Sequence, residues 1–357
     1  FNCMGSLTLW WVAFIAIFII VYAIDLAVTA RRKETESIST ALKWTGVWIS
    51  IALLFTVAIY FFFPQNPEST VNTAHVMGTK FLSGYLTEYS LSVDNLFVFI
   101  MIFAMMGISE KNQPKLLMIG IMISIVLRIL FILVGMELVE RFEWIIYVFG
   151  AILLYTAYKM VFSKEEDNVD PKSNILYKGA SRLFPVDPDV HNPKFFATLN
   201  GKKYITVSLL CLLVIGSTDV LFAVDSIPAI IGVIKEGATN ILTADEENFL
   251  AISSNVFAVM GLISLFFALR GIMGMFRFLK VGVSFILFFI GCKMLLGAIP
   301  AVSGFFSAHS WVSLGVIVFT LAFSIVLSML ISENKEVAEL KEELKVEKLK
   351  DERQDEI

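Results

Sequence analysis

The chain alternates between long apolar runs and short polar segments. Nine of the apolar runs reach about 20 residues, which is the length that spans the hydrocarbon core of a bilayer. They lie near residues 8–30, 42–63, 78–106, 115–138, 144–162, 205–233, 249–270, 279–299 and 309–331. The first run lacks a basic start and ends in Arg31-Arg32-Lys33, which favours a span over a signal peptide. The pattern predicts an all-α integral membrane protein of about nine transmembrane helices.

The positions of Lys and Arg predict how these helices are oriented, because cytoplasmic loops carry an excess of both residues. The cations cluster after the first, third, fifth and seventh runs. The other connections hold little beyond Lys80, Arg141 and Lys235. We therefore expect the N-terminus outside and the C-terminus in the cytoplasm.

Two of the apolar runs contain acids near their middle. One reads Glu88-Tyr-Ser-Leu-Ser-Val-Asp94-Asn95 and the other Asp219-Val-Leu-Phe-Ala-Val-Asp225-Ser226, so each places two acids six residues apart. A charge at the centre of a bilayer costs roughly 2.5–3.5 kcal/mol on insertion scales, so such residues persist mainly where they are used or paired. The matching spacing suggests a duplicated unit and one shared site.

The surrounding segments support a duplication. Residues 64–162 and 205–299 are predicted as two three-helix repeats, and both open with an acidic helix and close on Lys-Met, at Lys159 and Lys293. An odd number of spans inverts the second repeat, and inverted repeats commonly surround a midplane site. The other segments are expected to be an N-terminal helix pair at 1–63, a cytoplasmic loop at 163–204, a last span at 300–331 and a charged cytoplasmic tail at 332–357.

Composition excludes several other kinds of site. The chain is 57% apolar, more than an ordinary soluble domain. Its three cysteines and three histidines are scattered without metal-ligand spacing. No nucleophile–base pair, phosphate-binding glycine loop or cofactor motif stands out. We therefore expect no enzyme activity, no catalytic residue, no resident cofactor and no nucleic-acid partner.

The acidic segments instead provide oxygen ligands. Carboxylates, hydroxyls and amides suit hard cations such as Mg²⁺, Ca²⁺ and Mn²⁺, whereas Zn²⁺ and Cu⁺ sites usually recruit nitrogen or sulfur. The sequence predicts a divalent-cation site with Glu88, Asp94, Asp219 and Asp225 as ligands and Asn95, Ser92, Thr218 and Ser226 in support.

Helix geometry restricts how these acids can meet. Six residues correspond to a rotation of about 240° and a rise of about 9 Å, so one regular helix cannot wrap both of its acids around one ion. Either the helices break locally, or each acid meets one from the other repeat. Pro228 and the polar stretch Gly216-Ser217-Thr218-Asp219 favour an irregular sixth span.

Charge balance leaves three readings open. Four neighbouring carboxylates in a low dielectric disfavour full ionisation, so we expect one or two protons among them. Ion binding would then displace protons and give proton-coupled exchange. Arg128 in the fourth span could instead act as the charge partner of acids that have only a structural role. A proton pathway without metal is the third reading.

The acidic motifs resemble the TerC family of integral membrane proteins, which includes the manganese-responsive Alx proteins. The similarity lies in Glu88-x-x-Leu-Ser-Val-Asp94-Asn95 and Thr218-Asp219-x-x-Phe-Ala-Val-Asp225, with Ser254-Asn255-x-Phe-Ala and Gly-x-Lys293-Met-Leu further along. The resemblance implies export of Mn²⁺ or a related cation, an association with tellurium resistance and a bacterial inner membrane. It places the family's metal-site acids on Glu88, Asp94, Asp219 and Asp225.

Two positions depart from the family pattern. Family members commonly carry Glu where this chain has Gly216, and Arg where it has Ile263. An acid and a base are missing together, which fits the loss of one intramembrane ion pair.

A second hypothesis is a membrane scaffold for a tellurite or metal stress-response complex, with structural intramembrane acids. The loop 163–204 and the tail would then dock protein partners. The sequence leaves the oligomeric state open.

Overall fold

The computed structural model describes most of the chain between Asn2 and Leu330. The described residues are 2–31, 38–66, 69, 71–109, 111–162, 171–187, 194–199, 202–235, 241–272, 278–299, 302, 305–306 and 310–330. Some side chains inside the helices lie outside this description, those of Asp25, Asp94 and Asp225 among them. The predicted tail at 332–357 also lies outside the described residues.

The described part consists of helices with one small hairpin. The helices are α1 (Asn2–Arg31), α2 (Ile38–Phe62), α3 (Thr73–Met105), α4 (Gln113–Arg141), α5 (Ile145–Phe162), α6 (Ile175–Leu183), α7 (Val207–Lys235), α8 (Ala244–Val259), α9 (Leu262–Ile272), α10 (Leu279–Leu296) and α11 (Ser310–Leu330). The strands β1 (Phe196–Leu199) and β2 (Lys202–Ile205) pair antiparallel.

Seven segments of the described chain are long and apolar enough to cross a membrane. They are Leu7–Ile24, Ser39–Phe62, Thr73–Met105, Gln113–Arg141, Ile145–Phe162, Val207–Lys235 and Ala244–Leu269. Val281–Leu296 and Val312–Ser328 are also apolar but shorter. The prediction of a mainly helical chain with helices of membrane-spanning length is therefore confirmed apart from the small hairpin. The count of nine spans and the inverted repeats stay predictions.

The two acid-bearing helices, α3 and α7, pack antiparallel. Lys80 Nζ donates to the carbonyl of Val233 at 2.9 Å. Four residues further along α3, a Cβ at Gly84 would lie 3.7 Å from Ile230 Cγ1. Residue numbers thus rise along α3 as they fall along α7.

Helices α5 and α10 also pack antiparallel, and glycines let their backbones approach closely. A Cβ at Gly291 would lie 2.9 Å from the carbonyl oxygen of Gly150. Ser284 Oγ donates to the carbonyl of Ala157 at 2.7 Å near the other end of the contact. Small residues commonly form such interfaces between membrane helices because they permit van der Waals contact between backbones.

The expectation of an irregular sixth span was wrong, since α7 is helical from Val207 to Lys235 with Pro228 inside it. Its polar stretch is accommodated because Ser217 Oγ and Thr218 Oγ1 both donate to the carbonyl of Val214, at 2.9 and 2.8 Å. Hydroxyls in a helix can bond their own backbone in this way without ending it.

The interruption falls in the seventh predicted span, between α8 and α9. Gly261 has φ +83°, a left-handed conformation that favours glycine. A Cβ at this position would also lie 2.3 Å from Cδ1 of Trp48. Conformation and space therefore both require glycine at this break.

Helix starts are specified locally where the chain leaves the apolar runs. Thr243 and Glu246 form a capping box at the start of α8, in which Thr243 Oγ1 accepts from the Glu246 amide and Glu246 Oε2 from the Thr243 amide. Asn72 caps α3 by accepting from the amide of His75 at 3.3 Å.

Part of the loop 163–204 is ordered against the helices. It holds α6, β1 and the start of β2, and Asn174 Nδ2 donates to Ser217 Oγ of α7 at 2.7 Å. The Ile205 amide donates to the carbonyl of Pro185 at 3.0 Å. The loop is thereby attached close to the acidic segment of α7.

The α5–α10 contact can be tested by overpacking. Gly291→Val should lower the free energy of unfolding by about 1–3 kcal/mol, because a side chain there meets the backbone of α5. Gly46→Val is the control, since nothing lies within 4 Å of a Cβ at that position. Unfolding by a denaturing detergent would measure both free energies, and equal losses would contradict the close approach.

Candidate functional site

A buried arginine joins acids from the two antiparallel helices. Arg128 lies in the middle of α4 and is 2% exposed. One terminal nitrogen of its guanidinium forms an ion pair with Glu88 Oε1 of α3, and Nη2 donates to Asp219 Oδ1 of α7 at 3.2 Å. Glu88 is 0% exposed and Asp219 3%. Two acids that lie far apart in sequence thus share the guanidinium of Arg128 inside the protein.

Two serines complete this network. Ser124 Oγ donates to Asp219 Oδ2 at 2.6 Å and accepts from Arg128 Nε at 3.1 Å. Ser92 Oγ lies 3.4 Å from Glu88 Oε1, four residues along α3. Ser124 precedes Arg128 by one helical turn, so both side chains lie on the same face of α4.

Burial makes this network costly to disturb. Removing one partner of a buried ion pair commonly destabilises a protein by about 3–5 kcal/mol, because the other charge is left without compensation. Two carboxylates and one guanidinium also leave the three side chains with an excess negative charge when all are ionised. A positive charge added next to the three ionised side chains would therefore reduce this excess.

Several buried polar atoms on α3 and α7 make no hydrogen bond to any described residue. They are Glu88 Oε2, Thr87 Oγ1, Asn95 Nδ2 and Ser226 Oγ. A buried polar atom without a partner costs about 1–3 kcal/mol, so it is normally satisfied by protein, water or an ion. These atoms come from α3 and α7, which both carry predicted ligands.

The side chains of Asp94 and Asp225 lie outside the described residues, but their helix positions are defined. The contacts of residue 80 with 233 and of 84 with 230 set the register of α3 against α7. Continued at about 1.5 Å per residue, this register brings position 88 opposite 225 and position 94 opposite 219. The four acidic positions thus form two layers, each with one residue from each helix.

The structure assigns different surroundings to the predicted supporting residues. Ser92 contacts Glu88, and Thr218 donates to a backbone carbonyl of its own helix. Asn95 Nδ2 and Ser226 Oγ are buried without a described hydrogen-bond partner. Among the described side chains, no group of three or more His, Cys, Asp and Glu could hold a metal ion. Sequence reasoning missed Ser124, although its position one turn before Arg128 was a usable signal.

The two departures from the family pattern lie in apolar surroundings. Ile263 is 2% exposed and lines a small cavity with Ile121 and Ile125 of α4. The atom nearest to a Cβ at Gly216 is Ile123 Cγ2, at 4.0 Å. Isoleucines of α4 are therefore the neighbours of both positions.

Comparison with known proteins gives consistent matches. The model of the integral membrane protein TerC family matches residues 73–336. An uncharacterized membrane protein of Myxococcus xanthus is 38% identical over 335 residues, covering 94% of this chain and 96% of the relative. A protein of Salmonella typhi named as a candidate membrane-bound redox modulator, Alx, is 35% identical over 338 residues, covering 94% and 98%. No solved structure matches the chain.

The charge network predicts a large effect at Arg128. Arg128→Gln should lower the free energy of unfolding by about 3–5 kcal/mol, because Glu88 and Asp219 lose their shared cation. Adding Glu88→Gln and Asp219→Asn should recover most of this loss, since no unpaired charge then remains. Unfolding by a denaturing detergent would measure both.

The matched control is Arg141→Gln on the same helix. Arg141 pairs with Glu137 at 2.6 Å, but the two side chains are 69% and 57% exposed, so the expected loss is under about 1 kcal/mol. Equal losses at Arg128 and Arg141 would contradict the proposed importance of the buried network.

Proposed function

The chain belongs to the TerC family of integral membrane proteins, which confirms the resemblance of its acidic motifs, and on this basis we propose that it exports a divalent cation. Mn²⁺ is the proposed cargo, carried out of the cytoplasm through the acidic centre between α3, α4 and α7. The observation that carries this proposal is Glu88, a fully buried carboxylate with one oxygen on Arg128 and the other without a described partner.

The donor chemistry supports a hard cation. Apart from the Arg128 guanidinium, the polar groups described around Glu88 and Asp219 are carboxylates, hydroxyls and amides. Oxygen-rich sites of this kind suit Mn²⁺, Mg²⁺ or Ca²⁺. We propose Glu88, Asp94, Asp219 and Asp225 as the ligands, one pair from each of the two layers.

Arg128 supplies the counter-charge when no divalent cation is bound. The guanidinium of Arg128 contacts both Glu88 and Asp219. A cation entering the site would therefore compete with Arg128 for these two carboxylates. If all five side chains are ionised, a divalent ion would reduce their net charge from −3 to −1. By the same count, neutrality needs three protons on the empty site and one on the loaded site. Entry of the cation would therefore release two protons, and exchange for protons is the expected coupling.

The membrane arrangement follows from the same proposal. The antiparallel pairing of α3 with α7 and of α5 with α10 is the relation that an inverted three-helix repeat would produce. We propose nine spans in a bacterial inner membrane, with the N-terminus outside. Alternating access would then consist of the two repeats rocking about the acidic centre.

The name of the Alx relatives can be reconciled with transport. Among the described cysteines, Cys211 is fully buried on α7 and Cys292 lies on α10. A disulfide exchange centre needs an accessible, reactive thiolate, which a fully buried Cys211 does not provide. Export of a redox-active cation would alter cellular redox balance without requiring thiol chemistry at Cys211.

One observation favours the alternative of a scaffold. The loop segment around α6 exposes Ile175, Leu183 and Phe184, at 85%, 77% and 54%. Apolar side chains exposed together in a polar loop commonly mark a surface that another protein or a membrane covers. In a scaffold, the Arg128 network would serve stability alone.

Export can be tested by measuring total Mn in cells that lack their own Mn exporter and are challenged with Mn²⁺. Cells expressing the chain should accumulate less Mn, and Asp94→Ala and Glu88→Gln should abolish the difference because each removes a proposed ligand. Glu137→Gln is the matched control, since Glu137 lies exposed on α4. Equal Mn with wild type and Asp94→Ala, at equal membrane abundance, would contradict export through this site.

A truncation separates transporter from scaffold. Deleting residues 332–357 should leave Mn export within about twofold, because the proposed site lies between α3, α4 and α7. Cellular Mn and resistance to tellurite would be measured on the same strains. Loss of resistance on truncation, with Mn content unchanged by expression of the intact chain, would favour the scaffold.

A further inference from the structure

Helix α8 presents buried polar groups that the acidic site does not yet include. Asn255 is 0% exposed, and neither its Oδ1 nor its Nδ2 bonds to a described residue. Ser254 is also 0% exposed, and its Oγ has no described partner. A fully buried amide can form up to four hydrogen bonds, so a position where it forms none with described residues indicates a ligand, a water or an acid nearby.

The direction of Asn255 follows from its neighbours on α8. Ser254 faces α3, because its Oγ would lie 2.8 Å from a Cβ at Gly84. Val259 faces α4 and α1, since it lines a cavity with Ile121 of α4 and Phe18 of α1. At about 100° per residue, Asn255 lies on the arc between them, about 100° from Ser254 and about 40° from Val259. It therefore faces the junction of α3 and α4, where Glu88 pairs with Arg128.

The height of Asn255 also matches the acidic site. The Gly84 contact places Ser254 opposite residue 84. Further along, Phe103 of α3 meets Phe266 of α9 with ring centroids 5.7 Å apart. Residue numbers therefore rise in the same direction, and α3 and the α8–α9 segment run parallel. Asn255 then lies opposite residue 85, three residues or about 4.5 Å along the axis from Glu88, which is within one helical turn. Glu88 Oε2 and Ser226 Oγ, both without described partners, belong to the same layer.

We propose that Asn255 is a direct ligand of the transported cation, through Oδ1, in the layer formed by Glu88 and position 225. This assignment rests on the proposed function. It adds a ligand from α8 to a site whose other proposed ligands come from α3 and α7. A neutral carbonyl oxygen suits this place because the layer already carries two acids and hard cations accept amide oxygens readily. The absence of a side chain at Gly84 leaves space for the Ser254 hydroxyl, so α8 can pack closely against α3 next to Asn255.

Binding of Mn²⁺ to the purified full-length chain tests this assignment independently of transport. Free hydrated Mn²⁺ gives a six-line electron paramagnetic resonance signal that is lost on binding. Asn255→Ala should weaken binding at least about tenfold, as loss of an important metal-site partner does. Asn255→Asp should instead tighten binding, because it adds a negative charge while keeping the side-chain size.

The control is Asn248→Ala, which removes the same group from the same helix about 10 Å away and should leave binding within about twofold. A purely structural amide would give weaker binding with both Asn255→Ala and Asn255→Asp, which would overturn the assignment. Wild-type affinity in Asn255→Ala, with binding lost in Glu88→Gln, would overturn it and leave the proposed function standing. Absence of Mn²⁺ binding by the wild-type chain would overturn both.

Discussion

A guanidinium buried among apolar helices must be paired, and this requirement holds the centre of the molecule together. Arg128 contacts Glu88 on α3 and Asp219 on α7, so the three helices cannot separate without exposing a charge to a medium of low dielectric. The register of α4 against α7 fits this constraint, because Gly120 lies beside Ile215 and Gly135 beside Ile231. The ion pairs and the packing therefore specify the same arrangement.

The remaining interfaces rely on close packing. Helices α5 and α10 meet through Gly150 and Gly291, and the break at Gly261 accommodates the ring of Trp48. In a membrane, lipid is as apolar as the side chains, so van der Waals contact between small residues is a main source of helix association. A rigid apolar frame of this kind suits a polar centre whose charges must be held at defined distances.

That centre combines polar groups that have described hydrogen-bond partners with polar groups that have none. Asp219 and Glu88 Oε1 are held by Arg128, Ser124 and Ser92, whereas Glu88 Oε2, Ser226 Oγ and the amide of Asn255 have no described partners. In the proposed transport site, the groups with partners orient the carboxylates, and the oxygens without described partners would be available to the cation. The excess of negative charge and the absence of sulfur or imidazole from these groups both favour a hard cation, which is the basis of the transport proposal.

The sequence alone determined the membrane character, the approximate places of the helices and the acidic motifs. Hydrophobic length and buried charge are local properties of a chain, which explains why Glu88, Asp219 and Arg128 could be singled out without coordinates. Only the tertiary structure decided that Arg128 bridges the two acids, that α7 continues through Pro228 and that Asn255 is buried without a described hydrogen-bond partner. Pairing across helices depends on register and rotation, which are set by contacts between residues far apart in the chain, such as Gly84 with Ser254.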